Sequence, residues 1–294
     1  MNLRLARVIV LVGLFAGICL PASASVPDAT CTWTGAVSDD WNTNGNWSCG
    51  HKPELTDTVI VGSAGRQPRL RATGQAGTLT INGGGTLVLD PNTPLTIASG
   101  LVLNQAAGLI PGTSSAITLQ SGNWTDNGAS VSTTAAWTAT FDGFTDQAIG
   151  GSKASHGFSN LTVNNMSMGT PEIMFGGSTA TVNVKGMLTL NQDAVLDTGT
   201  ASQFNLSGNL LNNGGSLLGN ATLNLIGSND QSIGGSAPQP TFPALVKVNK
   251  SAGKVTLGSG TERLIVNGAL EIQGGTLQLG GKGLTTNSTT TVGH

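Results

Sequence analysis

The chain has no tyrosine, and Phe and Trp together make up only 4% of it. Charge is as scarce: 13 basic and 15 acidic residues in 294, or 10%, against roughly 25% in ordinary globular domains. A net charge of −2 leaves no basic surplus, so the electrostatic footprint of a nucleic-acid binder is missing. Disordered chains combine high charge with low hydrophobicity; this one has little charge and 38% hydrophobic residues. Beyond the first 20 residues no apolar run is long enough to span a bilayer, which takes about 20 residues. What is abundant is Gly, at 43 residues, with Thr, Ser and Asn around short apolar pieces.

The N-terminus reads as an export signal, residues 1–24. Arg4 and Arg7 precede the apolar run Val8 to Leu20, and Ala22-Ser23-Ala24 supplies small residues at a cleavage site. Pro21 ends the run too early for a membrane anchor. Cleavage would take two Arg away and leave a mature charge of −4, from −2 − 2. It would also leave Cys31 and Cys49, an even number in an exported chain, which predicts a disulfide. With only His51 close by, the two thiols do not make a four-ligand metal set. No cofactor is expected.

Trp33, Trp41 and Trp47 are concentrated in and around that loop. The segment reads Cys31-Thr-Trp33-Thr-Gly35, Asp40-Trp41, Asn46-Trp47-Ser-Cys49, Pro53, Asp57 and Val59-Ile60-Val61. This pattern resembles the segment that opens many secreted bacterial parallel β-helix proteins, adhesin-like and autotransporter-passenger-like. The resemblance implies a module at the start of a solenoid, residues 25–77. Two roles remain open for the Trp rings: covering the exposed end of the solenoid, or forming an aromatic platform for carbohydrate.

From residue 78 to 294 short alternating pieces follow one another, separated by Gly, Asn and Asp, such as Thr78–Ile81, Thr86–Leu89, Ile117–Leu119 and Thr181–Val184. A longer repeat overlies them. Asp146-Gln-Ala-Ile-Gly-Gly-Ser152 matches Asp230-Gln-Ser-Ile-Gly-Gly-Ser236 at an offset of 84, as Phe158-Ser-Asn-Leu161 matches Phe242-Pro-Ala-Leu245. Val184-Lys-Gly-Met-Leu-Thr-Leu190 matches Val266-Asn-Gly-Ala-Leu-Glu-Ile272 at 82. This order also resembles the repeat of secreted bacterial β-helix proteins. The expected fold is all-β, a right-handed parallel β-helix with a disulfide-pinned N-terminal cap. Three short strands per coil make the repeat about four coils and the rod about ten coils, near 48 Å long. A β-sandwich would want longer strands and hairpin dipeptides.

Motifs for chemistry are few. There is no Walker loop, no nucleophile elbow and no zinc-protease helix. The nearest carboxylate pairs, Asp142 with Asp146 and Asp193 with Asp197, lie at turns where Asp commonly serves the backbone. His51 and His156 have no partner evident in the sequence. The expected function is a non-catalytic secreted or cell-surface protein, presenting polar ladders and loops to a polysaccharide or cell-surface polymer. The alternatives are a carbohydrate-active lyase or hydrolase, or a carbohydrate-binding module. Loop groups Trp124, Trp137, Phe144 and His156 are candidate contacts beside Trp33, Trp41 and Trp47. The C-terminal Thr289-Thr-Thr-Val-Gly-His294 shows no cap, so its last coil is a candidate edge for self-association.

Overall fold

The structure, a computed structural model, describes residues 28–165 and 171–293. The expected export signal lies outside the described residues. The chain winds as an all-β parallel solenoid of about ten turns. Each turn contributes strands to three faces, here called A, B and C. Face A runs from Thr30–Thr32 and Thr58–Val61 through Trp124–Asp126 and Gln147–Gly150 to Ser216–Leu218. Face B includes Ala116–Leu119, Thr138–Phe141, Asn160–Val163, Leu188–Leu190, Leu210–Asn212 and Gln231–Gly234. Face C includes Thr86–Leu89, Gly108–Pro111, Ser155–Phe158, Thr181–Val184 and Gln203–Leu206. All these pairings are parallel.

Alternation explains the arrangement. Side chains leave a strand on opposite sides, so every second residue can face the interior. On face A the inward residues form one unbroken column, Cys31, Val59, Leu79, Leu101, Trp124, Ile149 and Phe175, each paired with the next and all buried. The turns between faces need left-handed backbone. Gly84, Ala106 and Gly128 recur 22 residues apart with φ of 78°, 63° and 110°. Glycine meets that demand without strain, and Ala106 shows that the position is imposed by the coil.

Two expectations change. The boundary at residue 78 is not a break in the solenoid, because Thr58–Val61 pairs in register with Thr78–Ile81, and Thr30–Thr32 with Thr58–Ile60. The Trp-rich segment therefore contributes the first rungs itself. The long repeat is also not four whole coils. Trp124–Asp126 and Gln147–Gly150 stand on face A, but their counterparts Leu210–Asn212 and Gln231–Gly234 stand on face B. Among the described residues one repeat holds 11 strands, which is one short of four three-stranded coils. The second copy is thus turned by one face relative to the first.

Candidate functional site

The N-terminal Trp residues are inside the protein. Trp33, Trp41 and Trp47 are 3%, 0% and 3% exposed. Trp47 packs edge-on against both others, with ring centroids 5.0 Å from Trp33 and 4.7 Å from Trp41. The indole N–H of Trp33 donates to Arg66 O at 2.7 Å and that of Trp47 to Trp41 O at 2.7 Å. Buried Asn46 organises the loop: its Oδ1 accepts from the N–H of Val37 and Ser38, and its Nδ2 donates to Asp40 O. Asp57, also buried, accepts from the N–H of Ala29 and Glu54. The Cys31–Cys49 disulfide closes the segment. The cysteine sulfurs lie near His51, but oxidised sulfur offers no thiolate to a metal. Rings so enclosed offer no platform to a sugar, and the carbohydrate-platform reading of Trp33, Trp41 and Trp47 is withdrawn.

Trp124 and Trp137 are corrected in the same way, at 1% and 0% exposed. Trp124 occupies the inward position that Leu101 fills one rung earlier, so alternation sends its ring into the core. There it stacks with Trp137, centroids 6.4 Å apart, and meets Phe158 edge-on. Of the loop candidates only Phe144 reaches solvent, 75% exposed.

The carboxylates serve backbone and ladder. Asp146 Oδ1 accepts from Glu172 N–H at 3.1 Å, and its repeat counterpart Asp230 accepts from Lys254 N–H at 3.0 Å. Asp142 begins an amide ladder in which Asn164, Asn191 and Asn213 each donate to the side chain of the preceding rung. Asp197 accepts from Gly199 N–H, and Asp193 is a corner residue with φ 61°.

His156 is buried at 1% exposure and belongs to a small ionic group. Its Nδ1 lies 3.8 Å from Asp126 Oδ2, and Lys153 Nζ lies 3.1 Å from the same oxygen. Burial lowers the His156 pKa; Asp126 opposes that and Lys153 adds to it. Neither ring nitrogen has a hydrogen-bond partner. Lys153 also donates to Ala129 O, and Asp126 Oδ1 accepts from the N–H of Gly128 and Ala129. Sequence reading missed this group because its signal is a further repeat: Ser121-Gly-Asn-Trp-Thr-Asp-Asn-Gly128 matches Ser207-Gly-Asn-Leu-Leu-Asn-Asn-Gly214 at an offset of 86. That match equates Asp126 with Asn212.

The outer surface of face B is the most regular feature. Thr96, Thr118, Thr140, Thr162 and Thr189 stand in one register column, the first four half-buried and Thr189 buried. The Asp142–Asn164–Asn191–Asn213 ladder runs two residues downstream along the same edge. On face C a second amide ladder joins Asn183, Asn205 and Asn224. Sequence spacing hid the threonine column, since its steps are 22, 22, 22 and 27 residues.

Fold and surface together define a β-solenoid whose outer ladders are built mainly of threonine and amide side chains. Residues 32–142 match a family model described as a domain of unknown function (DUF8693), which spans the disulfide loop and the first turns. No curated protein and no solved structure matches the chain. No helix among the described residues is long and apolar enough to cross a membrane.

Proposed function

We propose that the protein is a non-catalytic, secreted or cell-surface solenoid that presents face B to a polysaccharide or cell-surface polymer, in the manner of an adhesin-like module. The observation that carries this reading is the threonine column beside the amide ladder. Successive rungs of a sheet rise by about 4.8 Å, so the half-buried Thr96, Thr118, Thr140 and Thr162 offer hydroxyl and methyl groups at a constant step along a stiff surface. A repeating polymer meets the same chemistry at each step. Export is favoured by the Cys31–Cys49 disulfide, since such bonds persist mainly in oxidising compartments.

The test is co-sedimentation with insoluble plant and bacterial polysaccharides and with intact cells. The unaltered chain binds at least one of them, and Thr118→Lys with Thr140→Lys weakens binding at least tenfold while circular dichroism stays unchanged. Two lysines on adjacent rungs repel each other and put charge and bulk in place of the threonine hydroxyl and methyl groups. No binding to any surface, or binding indifferent to the two lysines, overturns the reading.

A further inference from the structure

Among the described residues the parallel ladder is interrupted twice, at equivalent points of the two repeat copies. On face C, Ser130–Val131 pairs with Gly108–Leu109 on the preceding rung but not with Ser155–Phe158 on the following one. On face A, Ser216–Leu218 pairs with Val195–Asp197 but not with Thr241–Phe242. The repeat aligns Ser130–Val131 with Ser216–Leu217, and Phe158 with Phe242. At each break the two successive rungs are not joined by ladder hydrogen bonds.

The two copies treat that break differently. In the first, Lys153 reaches in to Asp126 and to Ala129 O, with His156 buried beside them. In the second the counterparts are Asn212, Ala237 and Pro240. Asn212 still accepts from Gly214 N–H, as Asp126 does from Gly128 N–H, and its Nδ2 donates to Gly215 O, the counterpart of Ala129 O. The backbone capping is kept while the long side chains are gone. A cleft of about 330 Å³ stands there, and none of its lining residues is charged. Gln239 and Thr241 bring an amide and a hydroxyl to it, and Leu217 and Leu218 an apolar wall. Leu218 is 39% exposed, where the first copy has Ser132.

We infer that this cleft is a binding site for a neutral sugar residue. Its volume is at the small end of ligand pockets, which run from roughly 300 to 1,000 Å³. Amide and hydroxyl groups suit the hydroxyls of a polyol, and leucine and proline suit the apolar face of a sugar ring. A charged ligand would give up hydration and find no counter-ion. The site stands on face A, so the inference deepens the glycan-binding reading without depending on the threonine column of face B.

The experiment is methyl NMR on the full chain with leucine labelled, titrated with the methyl glycosides of glucose, galactose, mannose and N-acetylglucosamine, and with glucuronic acid. At least one neutral glycoside shifts Leu217 and Leu218 saturably at millimolar concentration, and glucuronic acid binds at least tenfold more weakly. The variant Asn212→Asp, Ala237→Lys, Pro240→His rebuilds the arrangement of the first copy, which the fold already accommodates, and loses binding at least tenfold. Glutamine at 239 replaced by alanine, Gln239→Ala, weakens binding without filling the cleft. No shift with any neutral glycoside, or equal binding by the rebuilt variant, overturns the inference. Polymer co-sedimentation of the same variant separates the two readings: retained sedimentation leaves face B standing when the cleft fails.

Discussion

His156 is a neutral imidazole inside the solenoid, and its environment fixes the sign of a pH effect. Burial lowers its folded pKa below the ordinary value. In the unfolded chain the ring takes up a proton below about pH 6.5. Between that value and the lowered folded pKa the unfolded state binds more protons, so stability present at neutral pH is lost on acidification. Thermal melts from about pH 7.5 to pH 5 therefore show a falling Tm, and His156→Leu flattens that slope. Asp126 gives a second test at this scale. Asp126→Ala removes the acceptor for two N–H groups and leaves Lys153 without its carboxylate. The expected loss is about 2–4 kcal/mol by urea unfolding. Asp126→Asn costs less, because an amide oxygen can still accept from Gly128 N–H, as Asn212 does from Gly214 N–H in the second copy.

Strands and loops divide into those the sequence displays and those it hides. Pieces such as Thr86–Leu89 and Ile117–Leu119 alternate clearly, and they are strands. Val59-Ile60-Val61 is apolar at every position and lies inside the Trp-rich segment, so only its pairing with Leu79–Ile81 shows that it is a rung. The disulfide was legible by counting cysteines. The fate of the Trp rings was not, since a Trp on a solenoid faces inward or outward according to strand phase, and the loop 33–47 has no strand phase to read. Because the disulfide pins this loop against the first rungs, its reduction removes about 3 kcal/mol. The check is a lower Tm in reductant, and the same drop in the Cys31→Ala, Cys49→Ala variant. Asn46→Ala removes an acceptor for two N–H groups and a donor to Asp40 O inside the same loop. It costs about 2–3 kcal/mol, measured by denaturant unfolding.

Over the whole molecule, stability is a sum of rungs and contacts between neighbouring rungs, so the least supported end opens first. Thr290–Val292 pairs with Leu270–Ile272 on one side and has no strand over it among the described residues. All three of its residues are exposed, and Val292 is 60% exposed. Amide hydrogen exchange is fastest here and slows toward Leu188–Leu190 and Asn160–Val163.

The sequence by itself determined the strand period, the covalent clamp and the neutral exterior, because alternation, cysteine count and charge are local quantities. It also carried the long repeat, but not its meaning. Eleven strands are a whole number of strands and not a whole number of turns, so equivalent residues stand on different faces. Only the tertiary winding converts chain distance into a face and a rung. It decided that Trp124 is core, that five threonines share a column, and that one copy of an interrupted ladder is filled by Lys153 while the other stands open.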